Sequence, residues 1–233
     1  SGYADYIPVF LQETQRLIRE GYLKVNVAMI QVSVPDKFGF VSLGTSVDAT
    51  LAAVEKADTV IAIVNPNVPR AFGDAMIHIN EIDLFVEDDS PLITAEPGPI
   101  SDTDRKIGRY VAELVEDGAT LQMGIGAIPN AVLSMLGNHK DLGVHSETFA
   151  DGILPLVDKG VVNGRNKKID KGKLVATFLM GSKNLYDFVN DNPGVAMLDV
   201  KFTNRVNVIS KNPKFAAINS ALQVDITGQV CAD

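Results

Sequence analysis

Apolar positions along the chain recur with two periods, and the period switches often. Residues 7–20 set Val9, Phe10, Leu11, Leu17 and Ile18 among polar neighbours, which predicts a helix stopped by Gly21. Residues 25–34 are rich in Val, Ile and Met and predict a buried strand, followed by a turn at Pro35-Asp36-Lys37-Phe38-Gly39. A short helix over 51–56 and a second buried strand over 59–64 come next, closed by Asn65-Pro66-Asn67-Val68-Pro69.

The pattern breaks over residues 87–99, where Glu87-Asp88-Asp89 is followed by Pro91, Pro97 and Pro99. Proline removes backbone donors and stiffens the chain, so a sheet interior is disfavoured there. The expected organisation is a first unit over 1–90, a linker over 91–100 and a second unit over 101–233. Ser101 with Asp104 three residues on is a weakened capping box, and it opens a helix to about Glu116 with Ile107, Val111, Leu114 and Val115 on one side. Strands over 120–123, 142–145 and 174–180 then alternate with helices over 128–136, 152–159 and 185–189. That alternation predicts an α/β fold of mainly parallel sheets covered by helices. The chain ends on a strand-like stretch over 226–231 and lacks an initiator Met. A bare strand leaves backbone groups in need of partners, so the expectation is an excerpt of a longer protein.

Composition narrows the function classes. Hydrophobic residues make up 46% and charged residues 21%, an ordinary globular balance. The net charge is −8, from 21 basic against 29 acidic residues. Binding to nucleic-acid phosphates as a main task is thereby disfavoured, although a local basic pocket for an anion is not. The one cysteine, Cys231, allows no intramolecular disulfide and reads as a reduced, buried thiol beside a strand. A reducing, cytoplasmic setting is expected. No apolar run approaches the ~20 residues of a membrane-spanning helix, so no membrane partner is expected.

Three stretches could carry chemistry. Gly124-Ile125-Gly126-Ala127-Ile128-Pro129 runs from a strand through a glycine turn into a helix. Such a turn permits close approach of a ligand, and the helix N-terminus favours a phosphate or carboxylate. It lacks the third glycine of a dinucleotide fingerprint, so a purely structural turn stands beside the binding reading. Gly143-Val144-His145-Ser146-Glu147 also lies where a strand yields to a helix, the end at which ligands collect in open α/β sheets. Glu147 and Asp151 could instead cap the next helix, and His145 reads as a structural hydrogen-bonding residue. In the third stretch, Asn219 and Gln223 could bind a ligand's amides or satisfy buried backbone. The three histidines, His78, His139 and His145, show no metal-ligand spacing, and no Gly-x-Ser-x-Gly elbow is present.

Together these stretches resemble the acetyl-CoA hydrolase/transferase family, in its 4-hydroxybutyrate and butyryl-CoA:acetate CoA-transferase branch. The resemblance rests on Tyr3-Ala4-Asp5-Tyr6-Ile7-Pro8, Gln31-Val32-Ser33 with Gly39 and Ser42-Leu43-Gly44, Gly124 to Pro129, and His145-Ser146-Glu147 with Asp151-Gly152. Phe178-Leu179-Met180-Gly181 and Ala217-Ile218-Asn219-Ser220-Ala221-Leu222-Gln223-Val224-Asp225 complete it, in the family's order. It implies a two-domain, class I CoA-transferase-like architecture. It implies Glu147 as the nucleophile, with Gly124, Ile125, Gly126, Ala127, Ile128 and Asn219 contacting coenzyme A. The partners implied are an acyl-CoA, a short-chain carboxylic acid and further copies of the chain in a homo-oligomer, with no metal. A hydrolase using the same glutamate and an inactive CoA-binding excerpt are the alternatives.

Overall fold

The computed structural model describes residues 6–232, so Tyr3, Ala4 and Asp5 of the first motif lie outside the described residues. The first half contains α1 (Leu11–Arg19), β1 (Val27–Val32), β2 (Phe40–Ser42), α2 (Thr50–Lys56), β3 (Thr59–Val64), β4 (Met76–His78) and β5 (Leu84–Glu87). Helix α1 begins four residues later than the periodicity suggested, because Pro8 disfavours helical backbone at Ile7 and no side chain caps the segment before Leu11. Strands β1, β3 and β5 form a parallel sheet in that order. Its inner face buries Ala28, Ile30, Val32, Val60 and Ala62. The register sets Met29, Ile61 and Leu84 in one row of the other face, where Met29 is 80% exposed. Strands β2 and β4 pair antiparallel beside it. Buried hydroxyls hold these elements together: Ser33 Oγ accepts from Ser42 N at 2.9 Å, and Ser42 Oγ donates to Ala71 O at 2.9 Å.

Residues 88–101 contain no helix or strand. They lie against the second half, where Tyr186 Oη donates to Ile93 O at 2.9 Å and Ala95 N donates to Gly181 O at 2.9 Å. The second half contains α3 (Asp102–Ala112), β6 (Thr120–Met123), α4 (Ala127–Met135), β7 (Gly143–Val144), α5 (Leu154–Asp158) and β8 (Leu174–Ala176). It continues with α6 (Lys183–Val189), β9 (Val195–Met197), α7 (Val200–Thr203), α8 (Val206–Ile209), β10 (Phe215–Ile218), β11 (Gln223–Val224) and β12 (Val230–Cys231). Ser101 and Asp104 complete the expected capping box at the start of α3. Helices α3 and α4 pack so closely that a methyl on Gly108 would lie 2.8 Å from the backbone of Ala131.

Strands β10, β6 and β7 are parallel neighbours in that order. A His145–Val175 bridge carries β7 on to the parallel β8–β9 pair, and a Gly73–Met197 bridge carries β9 to the first half. One apolar cluster runs through both halves, from Val32, Val41 and Ala62 to Leu121, Leu142, Phe149 and Met197. The helices cover these parallel sheets as the alternation predicted, while β9, α7 and α8 carried no readable period.

Three expectations need correction. The strand expected over 174–180 stops at Ala176, because Thr177 N and Phe178 N both turn to Glu147 O, at 2.9 and 3.1 Å. The closing strand is instead a hairpin of β11 and β12, whose turn is tied by Asp225 accepting from Thr227 N and Gln229 N. Cys231 is exposed rather than buried, since this hairpin stands away from the core.

Candidate active site

Parallel strands bring their carboxyl ends to one rim, and every sequence-derived site residue follows such an end. Gly124 follows β6, Glu147 lies three residues beyond β7, and Asn219 follows β10. These are the three neighbouring strands of one sheet. The glycine turn and the glutamate are joined directly, because Met123 before Gly124 bridges to Thr148 after Glu147. Ser146 Oγ reinforces the junction, donating to Met123 O and accepting from Met123 N, each at 3.1 Å.

The turn is built for close approach. A methyl on Gly124 would lie 2.9 Å from Asn219 Oδ1. Gly126 is the N-cap of α4 with φ 124°, a backbone that side chains other than hydrogen rarely adopt. Ile125 is 55% exposed, Ala127 opens α4, and Ile128 occupies its first turn. The first N–H groups of a helix lack a carbonyl partner within it and so face outward from this turn. Asn219 is exposed and exchanges two hydrogen bonds with Gln122, at 3.1 and 2.9 Å. Gln223 lies on the hairpin, exposed and paired across to Cys231.

Glu147 is half-buried. Its carboxylate Oε2 accepts from Asn204 Nδ2 at 2.6 Å. It caps no helix: the two helices that follow have no side-chain cap. Asp151 takes a structural part, accepting from Ser182 N at 3.0 Å and from the Ser182 hydroxyl. That fixes Gly181 and the Phe178-Leu179-Met180 segment beside Glu147. On that segment lies a cavity of about 290 Å³, lined by Gln31, Ser46, Asp48, Phe178, Leu179 and Met180 among others, with Glu147 not in its lining.

Below the rim the charges are muted. His145 is 1% exposed, and its Nε2 lies 2.8 Å from Thr203 O, so the ring donates there. Burial holds its basicity below the ordinary range, which keeps the ring neutral and agrees with a structural part. Lys167 is 2% exposed under β7, donating to Val144 O at 2.8 Å and Lys173 O at 2.7 Å. Burial pushes its amine down to about 8. Among the described residues no cluster of His, Cys, Asp or Glu could hold a metal ion, and no helix is long and apolar enough to cross a membrane.

Sequence reasoning did not find Asn204. It lies 57 positions from Glu147, and the only local signal was a polar residue after a short apolar helix.

Comparison with known proteins gives the family. The acetyl-CoA hydrolase/transferase N-terminal domain matches residues 1–95, and the C-terminal domain of that family matches residues 181–233. A 4-hydroxybutyrate coenzyme A transferase of Clostridium kluyveri is 52% identical over 233 residues, covering all of this chain and 54% of the relative. A succinyl-CoA:acetate/propanoyl-CoA:succinate CoA transferase of Fasciola hepatica is 48% identical, with 100% and 49% covered. The crystal structure of a 4-hydroxybutyrate CoA-transferase from Porphyromonas gingivalis superposes with a TM-score of 0.91 at 43% identity, covering 94% of this chain and 56% of that one. RipA from Yersinia pestis superposes with a TM-score of 0.94 at 35% identity, covering 99% and 54%. The chain thus spans about half the length of the curated relatives it matches. From its two domain matches and these relatives, the chain belongs to the acetyl-CoA hydrolase/transferase family.

Proposed function

We propose that the protein is a CoA-transferase that moves coenzyme A between an acyl-CoA thioester and a short-chain carboxylic acid, through a glutamyl-CoA thioester on Glu147. The observation that carries this reading is the convergence of Gly124, Glu147 and Asn219 on one rim, behind three adjacent parallel strands. The transferase relatives support the same chemistry.

The carboxylate suits the task because it splits one exchange into two easier displacements. Glu147 attacks the thioester carbonyl, giving a mixed anhydride and the coenzyme A thiolate. The thiolate returns to the glutamyl carbonyl, leaving a glutamyl-CoA thioester and the free acid. A second acid reverses the sequence. Thioester and anhydride are both activated, so no step falls into a deep well. Glu147 is half-buried and hydrogen-bonded rather than sealed in an apolar pocket, as a carboxylate that must stay ionised requires.

In this reading the turn from Gly124 to Ile128 receives coenzyme A, with the outward N–H groups of α4 available to its anionic or carbonyl oxygens. Asn219 offers its amide to the cofactor's own amides. Exclusion of water from the reacting carbonyl favours transfer over hydrolysis. The developing charges are met by hydrogen-bond donors, so the proposal assigns no metal. A cytoplasmic location and a homo-oligomer belong to the same proposal.

Two measurements test it in the intact enzyme. Acyl-CoA is mixed with acetate while acetyl-CoA and free coenzyme A are followed together. Acetyl-CoA formed in step with loss of the donor is expected, and thiol release indifferent to acetate rejects transfer in favour of hydrolysis. Glu147→Ala is expected to remove turnover to below a hundredth of wild type, and retention above that level removes Glu147 from the reaction.

A further inference from the structure

Lys167 takes no part in the chemistry above, yet it is the only lysine or arginine buried among the described residues. Its hydrogen-bond partners are two backbone carbonyls, Val144 O and Lys173 O, and Asp170 acts on it only through space. Burying an ammonium with no carboxylate bonded to it is costly, and groups held at such a cost concentrate at functional sites. The fold makes room for this one. A methyl on Gly143 would lie 2.7 Å from Lys167 Cγ and 2.9 Å from Cδ, so the stem crosses β7 at its glycine. The loop that carries the lysine is closed on itself and on the core. Gly172 N donates to Gly164 O at 3.0 Å, and Gly164 N donates to Leu142 O at 3.0 Å. Asn212 Oδ1 accepts from Lys168 N and Ile169 N at 3.2 and 3.3 Å.

The two carbonyls belong to different strands. Val144 ends β7, and Lys173 immediately precedes β8. From there the two strands join toward the rim. His145 bridges to Val175, Ser146 N donates to Val175 O at 3.1 Å, and Thr177 N and Phe178 N reach Glu147 O. The ammonium is thus the first tie in a series whose last is the backbone of Glu147 itself. Strand β7 is only two residues long. A strand that short has little pattern of its own to fix its register, and a slip of one residue turns every side chain to the opposite face. Charge-assisted bonds from one ammonium to both strands supply what the pattern lacks.

We infer that Lys167 is a positioning residue for the nucleophile: by tying Val144 O to Lys173 O it sets the register of β7 on β8, and with it the direction in which the Glu147 carboxylate leaves the sheet. This rests on the assignment of Glu147 as nucleophile and extends it. The tie is strongest while the amine is charged, and burial pushes that amine down to about 8. The titratable groups around it do not share the change. His145 on β7 is kept neutral by burial and by the ammonium itself, Asp170 lies on the lysine's own loop, and β8 contributes only Leu174, Val175 and Ala176.

The test is single-turnover formation of the enzyme-bound glutamyl-CoA from acyl-CoA without acceptor, trapped by borohydride, in the intact enzyme on both sides of pH 8. Lys167→Met keeps the bulk of the stem and removes the charge. It is expected to slow adduct formation by roughly 10–10²-fold, the scale set by a misplacement of about 1 Å, with the half-saturating acyl-CoA concentration within about threefold. The wild-type rate is expected to fall as pH rises through about 8 while the variant's stays level, a difference that a merely structural lysine would not produce. Gly143→Ala presses on the stem at Cγ and keeps the charge, so it is expected to slow the same step, and it carries the test should Lys167→Met not fold. Adduct formation within about threefold of wild type in either folded variant, or a wild-type pH dependence retained in Lys167→Met, overturns the inference about Lys167 alone. Absence of any adduct on Glu147 in the wild type overturns the nucleophile assignment instead.

Discussion

The sharpest structural test of the glycine turn is a methyl group on Gly124. In Gly124→Ala the new Cβ would sit 2.9 Å from Asn219 Oδ1, whereas its next neighbours, Asn219 Cα and Ile218 O, lie at an ordinary 3.5 Å. The strain therefore falls on one side-chain atom. To restore ordinary contact, Oδ1 must retreat by roughly half an ångström, which takes the 3.1 Å bond from Gln122 Nε2 to the edge of hydrogen bonding. The pair is exposed, so folding stability changes by about 1 kcal/mol or less. If Asn219 holds coenzyme A, losing that aligned amide costs about 1–1.5 kcal/mol of binding, or roughly five- to tenfold in kcat/KM for acyl-CoA. The assay is a double-mutant cycle of Gly124→Ala and Asn219→Ala in the intact enzyme, read as kcat/KM and as melting temperature. Each single variant is expected to lose five- to tenfold, and adding the methyl to Asn219→Ala is expected to cost less than about 0.5 kcal/mol more. Fully additive losses would refute the reasoning, because the methyl would then act on something other than Asn219.

Two further outcomes test how the rim is supported. In Gly181→Ala the new Cβ would meet Asp151 Oδ2 and Leu185 Cδ2, both at 2.5 Å. An unfolding free energy in urea lowered by about 1–3 kcal/mol, with turnover reduced, is expected, and an unchanged value removes the Asp151–Ser182 tie from the account. Lys167 makes stability depend on pH: burial pushes its amine to about 8, while the unfolded chain keeps the proton to 10.5. Between those values the unfolded state holds more protons, so stability rises with pH, by about 3 kcal/mol in full, and Lys167→Met should flatten the rise in denaturant melts.

What could be read from the sequence was whatever the chain writes locally. The buried strand over 59–64 and the strand over 120–123 were legible because unbroken apolar runs between turn residues have few other homes. The capping box of Ser101 and Asp104 was legible because both partners lie within four residues. The edge strand β5 escaped notice because all four of its residues are exposed and its last, Glu87, opens the acidic run that reads as linker. Cys231 was misjudged for the opposite reason: an apolar run suggested burial, but a hairpin closed by Asp225 lifts it off the core.

The site divides along the same line. Gly124 and Glu147 each sit at a strand end, and a strand end is a local statement. Their adjacency is not local, since it depends on β6 lying between β10 and β7, an order no periodicity encodes. Asn204 is further still from legibility, because its contact with Glu147 comes from a turn tied by Arg19, Asp74 and His145. A carboxylate in a sequence names a chemistry that could happen. What that carboxylate is bonded to is settled by an amide 57 residues away, and that contact exists only once the sheet has closed.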